Sequence, residues 1–335
     1  MKRVALTGVL SLAGVALCAA LLATGCGTAD KPGGATPGTA QGGGKAEKTF
    51  VMVPKGVHPY YEPCYDGFKD AGAKLGVKVD FCAAKEFQVA QQVQMIENVI
   101  ARKVDGIAIS ALDDQGLGAV IEDATKAGIK VITFDAPAPS SKALCYIGTA
   151  NEAAGYAGGE AVAALMNGEG EIAVLQGGLA APNLNDRYKG FEKALKEKAP
   201  NIKIVTREDT EGKANVTADK TEALLRAYPK LKAIFSVSAE GVPGAVAVLK
   251  DAKQTDKVLL AGFDDLPDTL KGIRDGSVRF CIVQRTYLMG WLAVEKLLDA
   301  CNGKEVPKLI DTGVIIVNKE NVNTYMQDMK KAAGK

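Results

Sequence analysis

The sequence predicts an α/β protein with two doubly wound parallel-sheet domains. Short, near-continuous apolar runs alternate with amphipathic helical stretches, and the alternation restarts about halfway along the chain. Strands that are apolar on both sides of their two-residue period need helices over both faces of the sheet. The roughly 290 residues that follow Glu47 also suggest two domains sharing one chain.

The first half opens with a strand at 49–54 (TFVMVP). A helix follows over 60–75, with Tyr61, Cys64, Phe68, Ala71 and Leu75 at helical spacing, and Gly76 stops it. A strand at 77–81 precedes a helix whose apolar face is Val89, Val93, Ile96 and Ile100. The strand 104–110 (VDGIAIS) leads to a helix over 115–127, and Gly128 passes the chain into the strand 129–134. The second half repeats the rhythm, with strands at 171–175, 202–205, 231–237, 258–261 and 278–283. Helices such as 186–197 and 217–227 lie between them.

Ahead of this body, Lys2 and Arg3 precede an apolar run over 4–22 that ends in Leu22-Ala23-Thr24-Gly25-Cys26. A positive start, an apolar stretch and small residues at a cut describe an export signal rather than a span. The cysteine makes it resemble a bacterial lipoprotein signal, with 1–25 removed and lipid carried on Cys26. Ala23 stands where such signals more often have Leu or Val. Residues 26–47 are rich in Gly, Ala, Thr, Pro and Lys and show no apolar period. They read as a flexible tether, and a Gly-rich coil of about twenty residues spans on the order of 25 Å.

A composition of 47% hydrophobic and 24% charged residues is that of an ordinary soluble globular protein. The net charge of +2, with basic and acidic residues interspersed, offers no stripe for nucleic acid. Beyond Cys18 and Cys26, the cysteines are Cys64, Cys82, Cys145, Cys281 and Cys301, an odd set with no CxxC pair; the one histidine is His58. No metal site and no cofactor are expected from these. A Cys64–Cys82 bridge is the one disulfide worth expecting, since both fall near the same edge of the first sheet.

In doubly wound sheets, ligands bind at the carboxyl ends of the strands. Residues placed there are His58, Tyr60 and Tyr61 after the first strand, Ser110 after the third and Asp135 after the fourth. In the second half they are Asn183, Asn185 and Arg187, then Ser238 and Glu240, then Asp264, then Gln284. Aromatics, carboxylates and amides predominate, with almost no cation or nucleophile.

The ordered segments HPYYEPCYDGFKDAGAKLGV, VDGIAISALD, GIKVITFDAP, YIGTANEAAGYAGGE, LQGG with NDRYKGF, AIFSVSAE and LAGFDDLPDTLKGIRDG resemble the ribose- and galactose-type periplasmic binding proteins of sugar ABC transporters. The resemblance covers 49 to about 330. It implies a type I periplasmic-binding-protein fold whose two domains are joined by three hinge crossings, near 148–151, Gln284 and Asp311. Domain one would be 49–149 plus 285–310, and domain two 150–283 plus 311–330.

The same resemblance assigns Tyr60 and Tyr61 to the faces of a sugar ring, and Asp135, Asp264 and Gln284 to its hydroxyls. Ala136 and Asn185 replace two family arginines, while Ser110 and Ser238 replace asparagines. Arg187 matches an arginine that is more structural than ligand-facing. The expected ligand is a monosaccharide or similar small polyol, and the expected partner is a membrane permease. The protein is expected to be an exported monomer of the cell envelope, held to the membrane only by its lipid and binding no nucleic acid.

The pattern leaves two alternatives open. One is a furanosyl autoinducer or other sugar-like signal. The other is an exported glycosidase using Asp135 and Asp264, against which no apolar setting for a raised-pKa acid is visible in the sequence.

Overall fold

A computed structural model describes residues 47–327. The export signal, Cys26 and most of the tether lie outside the described residues, as do 328–330.

The first sheet contains β1 (Thr49–Val53), β2 (Lys78–Phe81), β3 (Gly106–Ile109), β4 (Lys130–Phe134), β5 (Tyr146–Gly148) and β11 (Leu309–Asp311). Its order is β11-β5-β4-β3-β1-β2, and every pairing is parallel. The second contains β6 (Glu169–Gln176), β7 (Asn201–Asp209), β8 (Leu231–Ser236), β9 (Leu259–Phe263), β10 (Phe280–Gln284) and β12 (Val314–Asn318), in the order β12-β10-β9-β8-β6-β7. All its pairings are parallel except that β12 runs antiparallel to β10.

Side-chain alternation along these strands explains why both faces must be covered. In β1, Phe50 and Met52 pack beneath α1 (Glu62–Leu75) and α9 (Thr286–Cys301). Val51 and Val53 point the other way, toward α2 (Val89–Ala101) and α3 (Asp114–Lys126). The second sheet repeats this: Ile172 and Val174 of β6 face α4 (Asn151–Leu165) and α5 (Pro182–Lys198). Ala173 and Leu175 face α6 (Ala214–Ala227), α7 (Gly241–Asp251) and α8 (Pro267–Asp275). Burial on both sides is what makes the strands near-continuous apolar runs.

The helix pairs α1–α9 and α4–α5 pack backbone against backbone. A Cβ on Gly290 would lie 1.8 Å from the Cys64 carbonyl oxygen, and one on Gly190 would lie 1.9 Å from that of Glu152. Only glycine permits that approach.

The chain passes between the sheets three times: at residues 149–150 from β5 into α4, at Arg285 from β10 into α9, and at Thr312-Gly313 from β11 into β12. The three-residue strands β5 and β11 and the edge strand β12 are absent from the sequence expectation. β5 and β11 are too short to register as apolar runs, whereas β12 (VIIVN) is an apolar run that the strand-and-helix rhythm does not include.

The expected Cys64–Cys82 bridge is not formed; both cysteines are free. Cys64 sits in the core under α1 and α9, whereas Cys82 packs on the α2–α3 side of the same sheet. The sheet stands between them.

Candidate functional site

A cleft of about 800 Å³ lies between the carboxyl ends of the two sheets. It is lined by Tyr60, Tyr61, Asp135, Ser238, Asp264 and Gln284 from the sequence expectation. Ser110 and Asn185 do not line it.

The two tyrosines enter on an irregular turn, as adjacent residues must if both are to reach one cleft. Pro59–Tyr61 is a single 3-10 turn, with His58 Nδ1 accepting from the Tyr60 backbone N–H at 3.2 Å. The rings meet edge to face, 84° apart, with centroids separated by 5.1 Å. Burial, and then the Asp135 charge, pushes both phenols above their ordinary value. They therefore remain protonated donors.

Their acceptor is Asp135. Tyr60 Oη donates to its Oδ1 at 2.9 Å, while Tyr61 Oη and Ser110 Oγ donate to Oδ2 at 3.1 and 2.6 Å. Ser110 thus stands behind the carboxylate and holds it rather than facing the cleft. Lys55 Nζ lies 4.0 Å from the same Oδ2 and donates to Asn183 Oδ1, on the opposite lobe, at 3.0 Å. Burial lowers the Lys55 pKa, and the Asp135 charge opposes that.

The second lobe presents Asp264 at the position that mirrors Asp135. Each follows the buried phenylalanine that ends its strand, Phe134 or Phe263. Each also adopts a left-handed backbone, with φ of 58° and 67°. Such φ values are uncommon outside glycine and are least costly for Asp and Asn.

Arg187 is fully buried beside Asp264. Its Nη1 lies 3.8 Å from Asp264 Oδ2 and donates to the Val237 carbonyl at 3.0 Å. Nε donates to Asn151 Oδ1 at 2.9 Å, and the guanidinium lies 4.1 Å above the Phe263 ring. Nη2 has no hydrogen-bond partner among the described residues. Arg187 is thus held by protein groups with one donor left over, and the cleft is lined by four cations, Lys55, Lys85, Arg187 and Lys213, where the sequence suggested almost none.

Gln284 joins the site to a passage between the sheets. Its Nε2 donates to Asp264 Oδ1, and its Oε1 accepts from Thr149 Oγ1, both at 2.9 Å. Tyr146 Oη donates to the Asp135 and Thr149 carbonyls at 2.9 and 3.1 Å and accepts from Asn151 Nδ2 at 3.0 Å. The two aspartates are thus connected through hydrogen bonds that run across the first passage.

Asn185 lies off the site. It donates to the Leu179 carbonyl at 2.8 Å and accepts from Gln176 at 3.2 Å and from Arg207. On α5, residues 183 and 187 share a face, whereas 185 is turned about 200° from 183. The i,i+4 spacing of Asn183 and Arg187 was the signal for the cleft-facing pair.

Burial pushes the Asp264 carboxyl up to about 7, against the pull of Arg187 and the Gln284 hydrogen bond. The sequence reading found no setting for a raised-pKa acid; the structure supplies one. The folded protein then holds a proton that the unfolded chain, with a carboxyl near 4, releases. The resulting stabilisation is fully present below pH about 4 and is lost as pH rises through about 7. Between pH 5 and 8 this group is expected to cost about 3 kcal/mol of unfolding free energy. Denaturant titrations of wild type and Asp264→Asn at both pH values check this. Parallel losses in the two proteins would refute it.

Residues 49–305 match the family described as periplasmic binding protein domain. The chain belongs to that family. It is 26% identical over 253 residues to the ribose import binding protein of Bacillus subtilis, covering 76% of this chain and 81% of the relative. It is 25% identical to the D-allose-binding periplasmic protein of Escherichia coli, covering 76% and 87%. Among solved structures, an ABC transporter solute-binding protein of Burkholderia graminis in complex with D-arabinose shares 41% identity at a TM-score of 0.81, covering 84% of this chain and 99% of that one. With this family comes the type I fold of two parallel-sheet α/β domains.

Proposed function

We propose that this chain is the extracytoplasmic solute-binding protein of an ABC transporter, closing two lobes on a monosaccharide or similar small polyol. The observation that carries the reading is the cleft itself, with two tyrosine rings on one lobe and an aspartate at the matching strand end of each lobe. Aromatic faces cover the C–H surface of a sugar, while carboxylates and amides take its hydroxyls. The sugars named for the ribose, allose and arabinose relatives support the same class.

Tyr60, Tyr61, Asp135, Asp264, Gln284 and Ser238 are the proposed ligand contacts, joined by Lys55 and Asn183. Ser110 acts through Asp135. Asn185 stays behind the site, bracing Gln176 and Arg207. The lobes are taken as 49–149 plus 285–310 and 150–283 plus 311–330, moving about the passages near Thr149, Gln284 and Asp311. Closure then presents both lobes to a membrane permease and shifts the open–closed population. The residues ending at Cys26 support export and lipid attachment, and we take the protein as a monomer. Among the described residues, no helix is long and apolar enough to cross a membrane.

One observation favours a second reading, catalysis at a raised-pKa Asp264. Against it, Asp264 is committed to Arg187 and Gln284 and Asp135 to three hydroxyls, which suits holding a ligand rather than moving protons. Incubation with labelled oligosaccharides decides between them. Unchanged substrate fits the binding reading, and turnover would replace it. For the lipid, mass spectrometry of membrane-extracted protein should find a diacylglyceryl adduct on Cys26 that is missing from Cys26→Ser.

A further inference from the structure

Outside the contacts that the family resemblance assigns, two buried polar groups in the cleft lack partners. Glu240 follows β8, is only 8% exposed and lines the cleft, yet its Oε1 has no hydrogen-bond partner among the described residues. Arg187 Nη2, on the same lobe and lining the same cleft, is equally unpartnered. Leaving a buried charge-bearing atom unpaired is costly, and native folds retain few such atoms without a use for them.

The surroundings favour a ligand-facing role for Glu240. Gly177, at the end of β6, makes the room: a Cβ there would lie 2.1 Å from Glu240 Oε1 and 2.7 Å from Ser238 Cβ. Its side chain lines the cleft beside Ser238, with Oε1 met by no protein group among the described residues.

We propose that Glu240 is a specificity-determining ligand acceptor that selects a polyol with a hydroxyl at this position. The hydroxyl proton goes to Glu240 Oε1, the acceptor that no protein group among the described residues meets. This rests on the sugar-binding reading and adds a deoxy-sugar exclusion to it. A site built to bond a hydroxyl strongly disfavours an analogue lacking it, because its own groups are then left unpaired.

The test is Glu240→Gln and Glu240→Ala, measured by calorimetric titration with pentoses, hexoses and their deoxy analogues, alongside ligand-free melting. The substitutions should weaken the preferred sugar about 30-fold, the equivalent of one charged hydrogen bond. The ligand-free melting temperature should rise by about 2 °C or more in Glu240→Ala, because an unpaired buried acceptor has been removed. One deoxy analogue should bind wild type poorly and discriminate less in the variants. If wild type binds a sugar and the variants bind it within threefold, the sugar-binding reading stands and Glu240 is not its acceptor. A lowered melting temperature with unchanged affinity likewise makes Glu240 structural. If wild type binds no sugar, both readings fall together.

Discussion

At pH 8, where Asp264 is charged, replacing Arg187 with leucine is expected to lower the unfolding free energy by about 3–5 kcal/mol, the range for stripping one partner from a buried ion pair. The loss has several parts. Asp264 remains buried without its cation, Asn151 Oδ1 and the Val237 carbonyl lose their donors, and the Phe263 ring loses the guanidinium above it. Lysine should recover little, since a single ammonium cannot reach all three directions of the guanidinium fork. The double variant Arg187→Leu with Asp264→Asn should recover part of the loss, because the uncompensated acid is gone. Urea titrations of the four proteins measure this. A single-variant loss below 1 kcal/mol, or no recovery in the double variant, would show that the pair does not hold this end of the lobe together.

The second large effect concerns Asp135. Asparagine there keeps the shape and tolerates the left-handed backbone, but offers one acceptor oxygen where the carboxylate offers two. Tyr60, Tyr61 and Ser110 then compete for it, and Lys55 loses its nearest opposite charge. Sugar affinity is expected to fall about 100-fold, the scale of losing two charge-assisted bonds. Alanine should add a stability loss of about 1–2 kcal/mol from the strained φ, which glycine relieves. Calorimetric titration and denaturant melts of the three variants separate the two effects. Asparagine binding within threefold of wild type would mean that the carboxylate serves only to order the tyrosines.

Much of this site was legible before any coordinates, for a reason visible in individual residues. Asp135 and Asp264 each end an apolar strand, so topology alone placed them at the sheet ends where ligands bind. Tyr60 and Tyr61 were legible as a pair, while the 3-10 turn that lets both reach the cleft was not. Lys55 escaped notice because a lysine after Pro54 reads as a solvated loop residue. Its burial depends on Asp135 and on Asn183, 128 positions away. Asn185 was misplaced because the resemblance outweighed the helical phase of α5, which puts 183 and 187 toward the cleft. Glu240 was seen only as a polar residue after a strand, since an unmet hydrogen bond is a property of packing rather than of sequence. The same holds for the fold: strands buried on both faces were readable, whereas the three-residue strands β5 and β11 owe their existence to neighbours already in place.

The central claim, that the two lobes close on a small sugar, is tested most directly by isothermal titration of ligand-depleted protein against D-arabinose, D-ribose, D-allose, D-glucose and D-galactose. The expected result is saturable binding of at least one of them at one site per chain, abolished or severely weakened in Asp135→Asn. A folded protein that gives no binding heat with any sugar at two temperatures, and no shift in melting temperature with any of them, would contradict it.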